Sequence, residues 1–183
     1  MKPTTLLIAL LLAGCASGPR YQDKKMDFGA IKTVAVLPLQ NLSRDNLAGE
    51  RVRDVFSTML LSTGSLYVLP VGEVNRALVC GNVQAPATPS TEEVVALGKL
   101  LSADALIVGT VKEYGEVRSG NSAANAISMS LEMFETQTGK VIWAAATTKG
   151  GIGFWDRMLG GGGEPMNKVT EDAVRDLLHK LFR

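Results

Sequence analysis

The chain is poor in the residues from which most catalytic and metal sites are made. It has one histidine, His179, and two cysteines, Cys15 and Cys80, in 183 residues. His179 lies among Leu178, Lys180 and Leu181 in a helical pattern, where a partly exposed surface position is expected rather than a general base. The sequences GxSxG, HExxH, CxxC and the Walker-type phosphate loop are all missing, so nucleophile, metal and phosphate sites have no local signature. The glycines at 160–163 follow no strand and lead to no Lys-Ser or Lys-Thr end, which argues against a phosphate cradle. Glu92 and Glu93 sit at a helix start, where they complement its dipole. A protein that is not an enzyme, with no metal and no dissociable cofactor, is expected.

An excess of charge is also missing, since 19 basic residues face 18 acidic ones. Neutrality argues against a nucleic-acid binder, which would need a basic stripe to displace counterions from phosphates. Aromatic residues make up only 5% of the chain, so the core must be built from medium and small aliphatic side chains. Beyond Cys15 only Cys80 remains, and it has no partner for an intrachain disulfide. A buried inert thiol is the leading expectation for Cys80, an intermolecular bridge the other.

Long apolar runs are missing as well. The one at the start, Leu6 to Leu12, falls well below the roughly 20 residues that span a bilayer. It follows a positive Lys2 and ends at Leu12, Ala13, Gly14 and Cys15, which together resemble the bacterial lipobox. That resemblance implies a signal peptide over residues 1–14 and a diacylglyceryl thioether on Cys15, the one cofactor-like group expected. Each buried methylene of such a lipid contributes roughly 0.8 kcal/mol, and two or more chains make a stable anchor. Ala16 stands where an Asp would imply retention at the inner membrane in enteric-type sorting, so the resemblance implies the periplasmic face of the outer membrane. Removing residues 1–14 takes Lys2 away and leaves 18 basic and 18 acidic side chains.

Residues 15–30 have almost nothing to bury and read as the lipidated cysteine and a flexible tether, which leaves one periplasmic domain over residues 31–183. A continuous apolar run from Ile31 to Leu39 predicts a strand covered on both faces. Val52, Val55, Phe56, Met59 and Leu60 recur at helical spacing up to Gly64, with Glu50, Arg51, Arg53 and Asp54 on the opposite face. Leu66 to Leu69 predicts a short strand stopped by Pro70, followed by a brief helix from Val71 to Val79 and a loop over 81–90. Ser90 and Glu93 form a capping box before a helix that runs to Leu101. Asp104 to Val111 is a second buried strand, and the chain then turns small and polar over 119–125. Ile127, Met129, Leu131 and Met133 alternate with polar residues, and Thr136 to Gly139 turns the chain into a strand from Val141 to Ala145. Seven glycines lie between Gly150 and Gly163. An amphipathic helix closes the chain, with Met166, Val169, Ala173, Val174, Leu177, Leu178 and Leu181 as its apolar stripe. This order predicts an α+β fold, a mixed and partly antiparallel sheet with helices packed on it.

Three segments in this order carry a further resemblance. They are Thr33 to Leu39 with Asn41 and Leu42, Ala96 to Leu101 with Ala103 to Gly109, and Thr138 to Trp143. They resemble the periplasmic core of CsgG-type lipoproteins, among them the curli secretion channel CsgG and PelC of Pel exopolysaccharide export. TolB N-terminal domains and the penicillin-binding-protein activator LpoB are more distant relatives. The resemblance implies a homo-oligomeric ring of small α+β domains beneath the outer membrane, partnered with an export or secretion machine.

A curli-type channel would send long hairpins from the places held here by residues 115–126 and 150–163. Each transmembrane strand needs about 9 to 11 residues of alternating apolar character, and neither segment has them, so no barrel of its own is expected. PelC-like rings touch the inner leaflet through an aromatic loop residue, which by position points to Trp155 beside Phe154. Phe154, Trp155, Met158 and Leu159 are therefore candidates for a membrane or subunit contact, against the plain alternative of a loop folded back on the core. Two classes of function stay open: a structural export component, or a regulatory lipoprotein such as an activator of a cell-wall synthase. A tether of residues 16–30 reaches only about 50 Å fully extended, which favours the first.

Overall fold

The computed structural model describes residues 18–119, 122–151 and 163–183. Chain order begins with a strand, β1 (Arg20–Gln22), and one turn of 3-10 helix at Phe28–Ala30. Next come β2 (Thr33–Val36), β3 (Gln40–Asn41), α1 (Ala48–Ser62), β4 (Tyr67–Val68), α2 (Val71–Cys80) and α3 (Thr91–Leu101). The long strands β5 (Ala105–Ser119) and β6 (Ser122–Glu135), then β7 (Val141–Gly150) and α4 (Met166–Leu181), complete it. The strands form one mixed sheet in the order β1-β7-β6-β5-β2-β4, with β3 pairing β5 beyond the end of β2. Pairs among β2, β3, β4 and β5 are parallel, whereas β5, β6, β7 and β1 run antiparallel in turn. The fold is α+β, a mixed, partly antiparallel sheet with helices packed on it.

The apolar run after Ile31 becomes the buried strand β2 because it is covered on both faces. Val34 and Val36 look toward α1 and α4, while Ala35 and Leu37 look toward α2 and α3. Asp104 fixes the register of β2 beside β5, its carboxylate accepting the Lys32 and Thr33 backbone N–H groups at 2.8 and 2.9 Å. At the start of α3 the capping box forms in both directions: Glu93 N donates to Ser90 Oγ at 3.2 Å, and Ser90 N donates to Glu93 Oε2 at 2.7 Å. Gly98 lets that helix press on the β6–β7 turn, because a Cβ there would lie 2.2 Å from Thr136 Cβ.

On the first face, Phe56 and Leu60 of α1 and Val174 and Leu177 of α4 pack on Ile107, Met129, Leu131 and Trp143. Trp143 is fully buried, and its indole N–H donates to the Lys180 carbonyl at 3.2 Å. That bond satisfies the one polar atom of the largest core side chain and fixes the end of α4 to β7. On the second face, α2 and α3 cover the β2 and β5 side and, at its border, Phe134 of β6. Its other half, on β6 and β7, presents Ser128, Ser130, Glu132, Ala144, Ala146 and Thr148.

Four sequence expectations need correction. The tether expected to run to residue 30 ends much earlier: β1 takes the edge of β7, with Tyr21 opposite Ala144, and Met26 and Phe28 pack against the core. An edge strand offers unpaired backbone groups, and this segment satisfies them. The small polar stretch after Tyr114 is not a break, since β5 and β6 continue through it as a paired hairpin. Cys80 is exposed at the end of α2, because Val74, Ala77 and Leu78 form the inward face of that helix. Arg53, placed by periodicity on the polar side of α1, is instead buried, for a reason given by its hydrogen bonds below.

Candidate functional site

One end of the sheet gathers the points at which the segments singled out in the sequence join the fold. Going backward from Arg20, β1 leads toward the end of β7: Ala146 N donates to the Pro19 carbonyl at 3.1 Å, and a Cβ on Gly18 would lie 2.7 Å from the Ala146 oxygen. The chain toward Cys15 therefore leaves the fold at the C-terminal half of β7. The stems of the glycine-rich loop stand at the same end. Gly151 N donates to Asn125 O at 2.8 Å, and Asn125 Nδ2 donates to Glu164 O at 2.8 Å. Gly163 packs on Ala124 of the β5–β6 hairpin.

Cys15, Leu12, Ala13 and Gly14 lie outside the described residues, as do Phe154, Trp155, Met158 and Leu159. What the structure brings together is the point where the first group joins the fold and the two points where the second group leaves and returns.

Lys180 and Asp176 of α4 secure this end from beneath. The Lys180 ammonium donates to the Ala146 carbonyl at 2.9 Å and lies 2.7 Å from Asp176, with the Lys180 side chain only 9% exposed. Lys149 of β7 reaches the other Asp176 oxygen at 3.3 Å. Burial alone would raise the Asp176 carboxyl, but hydrogen bonds from Lys180, Thr147 and Lys149 hold it below the ordinary carboxylate range. Periodicity could not single out Lys180, since its neighbour His179 is exposed and the two differ only by position on the helix.

Between the β3–α1 connection and the outer edge of β5 lies an open cleft of about 680 Å³, lined by Leu42 to Asp45 and Lys112 to Arg118. Its rim mixes both signs of charge. Among the described residues no three His, Cys, Asp or Glu side chains are grouped to hold a metal ion, and no helix is long and apolar enough to cross a membrane.

A family model described as peptidoglycan-synthase activator LpoB matches residues 8–148, more than half of the chain. The chain belongs to the LpoB family. Membership places it among accessory proteins of the cell envelope.

Solved structures extend the likeness in fold. The PelC dodecamer from Paraburkholderia phytofirmans is 15% identical with a TM-score of 0.59, over 89% of this chain and 94% of that one. Lipoprotein GNA1162 from Neisseria meningitidis is 17% identical with a TM-score of 0.58, over 82% and 98%. The LpoB C-terminal domain from Escherichia coli is 13% identical with a TM-score of 0.50, over 68% and 87%. At such identities the likeness establishes a shared PelC- and LpoB-type fold. No curated protein matches the chain in sequence.

Proposed function

We propose that this LpoB-family protein is a non-catalytic lipoprotein, anchored through Cys15 at the periplasmic face of the outer membrane. There it assembles with copies of itself as a structural accessory of an envelope export system. The observation that carries this reading is the docking of β1. Five residue steps separate Cys15 from Arg20, so the lipid and the sheet edge are at most about 18 Å apart. A domain held so closely works at the surface that anchors it. It meets other copies in the plane of that surface rather than reaching across the periplasm.

The half-open sheet face on β6 and β7, lined by Glu132 and by small side chains such as Ser128, Ser130, Ala144 and Ala146, supplies a surface on which a neighbour can sit. The PelC relative named above is a dodecamer, which agrees with a ring of such domains. The finer likeness to CsgG-type and TolB N-terminal domains rests on the sequence motifs alone. Phe154, Trp155, Met158 and Leu159 are proposed as the membrane or subunit contact, because their loop leaves and returns at the anchored end.

The family description favours a second reading, in which the protein activates a cell-wall synthase. Light scattering on the chain from Gly18 onward separates the two. A large cyclic oligomer is the expected result, and a monomer at high concentration would favour the activator.

A further inference from the structure

Arg53 is buried in α1 without a carboxylate in ion-pair distance among the described residues. It is 7% exposed, and its Nε and Nη2 both donate to the Val36 carbonyl at the end of β2, at 2.9 and 2.6 Å. This bond draws the side chain inward from the polar side of the helix. One acceptor engages two of the five guanidinium N–H donors, and among the described residues no hydrogen bond engages Nη1. Burial lowers the Arg53 pKa from its ordinary value while Glu50 opposes that shift, so the charge persists in a poorly solvated place.

The guanidinium lines a pocket of about 270 Å³ with Leu39, Asn46, Gly49, Glu50 and Asn75. The pocket lies at the N-terminus of α1, a helix of 15 residues whose first turn has no side-chain cap. Gly49 is buried, and neither its N–H nor that of Glu50 finds an acceptor among the described residues. A buried backbone N–H is rarely left without a partner. Gly49 also holds the helix start against the β2–β3 connection, since a Cβ there would meet Leu39 O at 3.0 Å. Unpaired amides at the positive end of a helix, beside a largely buried guanidinium whose unpaired Nη1 reaches the pocket surface, form an acceptor-shaped gap.

We propose that this pocket binds one carboxylate, the free C-terminal acid of a short peptide, through the Arg53 guanidinium and the amides that open α1. A planar carboxylate fits the guanidinium fork, and the charge-assisted bonds it makes are about twice as strong as neutral ones. Glu50 at the rim disfavours a doubly charged phosphate. Leu39 offers an apolar wall to a terminal side chain, and the Asn46 and Asn75 amides can pair with the last peptide group. The volume lies below the common range for drug-sized ligands, about 300–1,000 Å³, so it suits a terminal residue rather than a folded partner. This site does not depend on lipid at Cys15 or on self-assembly, and it stands or falls separately from them.

Calorimetric titration of the full chain with N-acetyl-Ala-Ala, with its C-terminal amide and with inorganic phosphate tests the assignment. The acid is expected to bind at least about tenfold more tightly than the amide, and phosphate is expected not to displace it. Arg53→Lys keeps a cation for the Val36 carbonyl but removes the fork, and Asn75→Ala lies on the surface of α2. Both are expected to weaken the acid by about tenfold while far-UV circular dichroism stays unchanged. Equal affinity for acid and amide, displacement by phosphate, no heat at millimolar peptide, or full affinity in a folded Arg53→Lys protein would each overturn the proposal.

Discussion

Replacing Lys180 by Met removes an ammonium while keeping most of the aliphatic stem, and it isolates the link that holds α4 to the C-terminal half of β7. In the native fold this ammonium, with its side chain 9% exposed, donates to Ala146 O at 2.9 Å and lies 2.7 Å from Asp176. The variant leaves Asp176 with Lys149 at 3.3 Å and leaves the Ala146 carbonyl without that donor. Breaking one side of a fully buried ion pair costs about 3–5 kcal/mol. Asp176 is 24% exposed and keeps one cation, which lowers the expected cost to about 2 kcal/mol. For a domain of this length that is a drop in Tm of about 4–8 °C, measurable by calorimetry.

The pH dependence carries the sign. The folded Asp176 carboxyl lies below its unfolded value of about 3.9, so its contribution is present above that pH and is lost as pH falls through the folded value. In the variant the carboxyl rises toward or above the unfolded value, because burial remains and the main partner is gone. The gap between native and variant stability is therefore widest near neutral pH and narrows in acid. A Lys180→Met protein within about 0.5 kcal/mol of native at pH 7, with an unchanged acid limb, would refute this account.

Trp143→Ala removes the largest fully buried side chain together with its bond to Lys180 O, and urea unfolding is expected to show a loss of about 3–5 kcal/mol. Asp104→Ala leaves the Lys32 and Thr33 N–H groups without their acceptor, and the same assay is expected to report a loss of about 1–3 kcal/mol. Gly98→Ala drives a methyl to within 2.2 Å of Thr136 Cβ, and this overpacking is expected to cost about 1–3 kcal/mol and lower Tm.

Much of the fold was legible because periodicity reports burial. Val34 to Leu37, the Ile127 to Met133 alternation and the stripe on α4 each took the face their spacing predicts. The Ser90–Glu93 box and the turn at Gly139, with its φ of +67°, were legible from local chemistry. Periodicity could not report the docking of Arg20 to Gln22, a polar segment held by backbone bonds to a strand far along the chain. The small polar residues 122–126 extend β6 for the same reason, since their partners in β5 set their conformation.

Arg53 shows the other limit. Its neighbours Arg51 and Asp54 face water as the helical pattern implies, while Arg53 turns inward to a carbonyl that no pattern within α1 reveals. The candidate contact residues stand out by composition and by resemblance. What the structure adds is that their loop is rooted beside the strand to which the chain from Cys15 attaches.

The central claim is that the lead from Cys15 and the tip of the β5–β6 hairpin share a membrane-facing end. Arg118, near that tip, and Gln137, in the turn at the opposite end of the sheet, are both exposed. Some thirteen residues of strand separate their levels, about 43 Å. Each is replaced by Cys in a Cys80→Ser background and labelled with a fluorophore, and the lipidated full chain is placed on vesicles carrying a spin-labelled headgroup. The account predicts strong quenching of the label at 118 and almost none at 137. Equal quenching at both positions, or stronger quenching at 137, would contradict it.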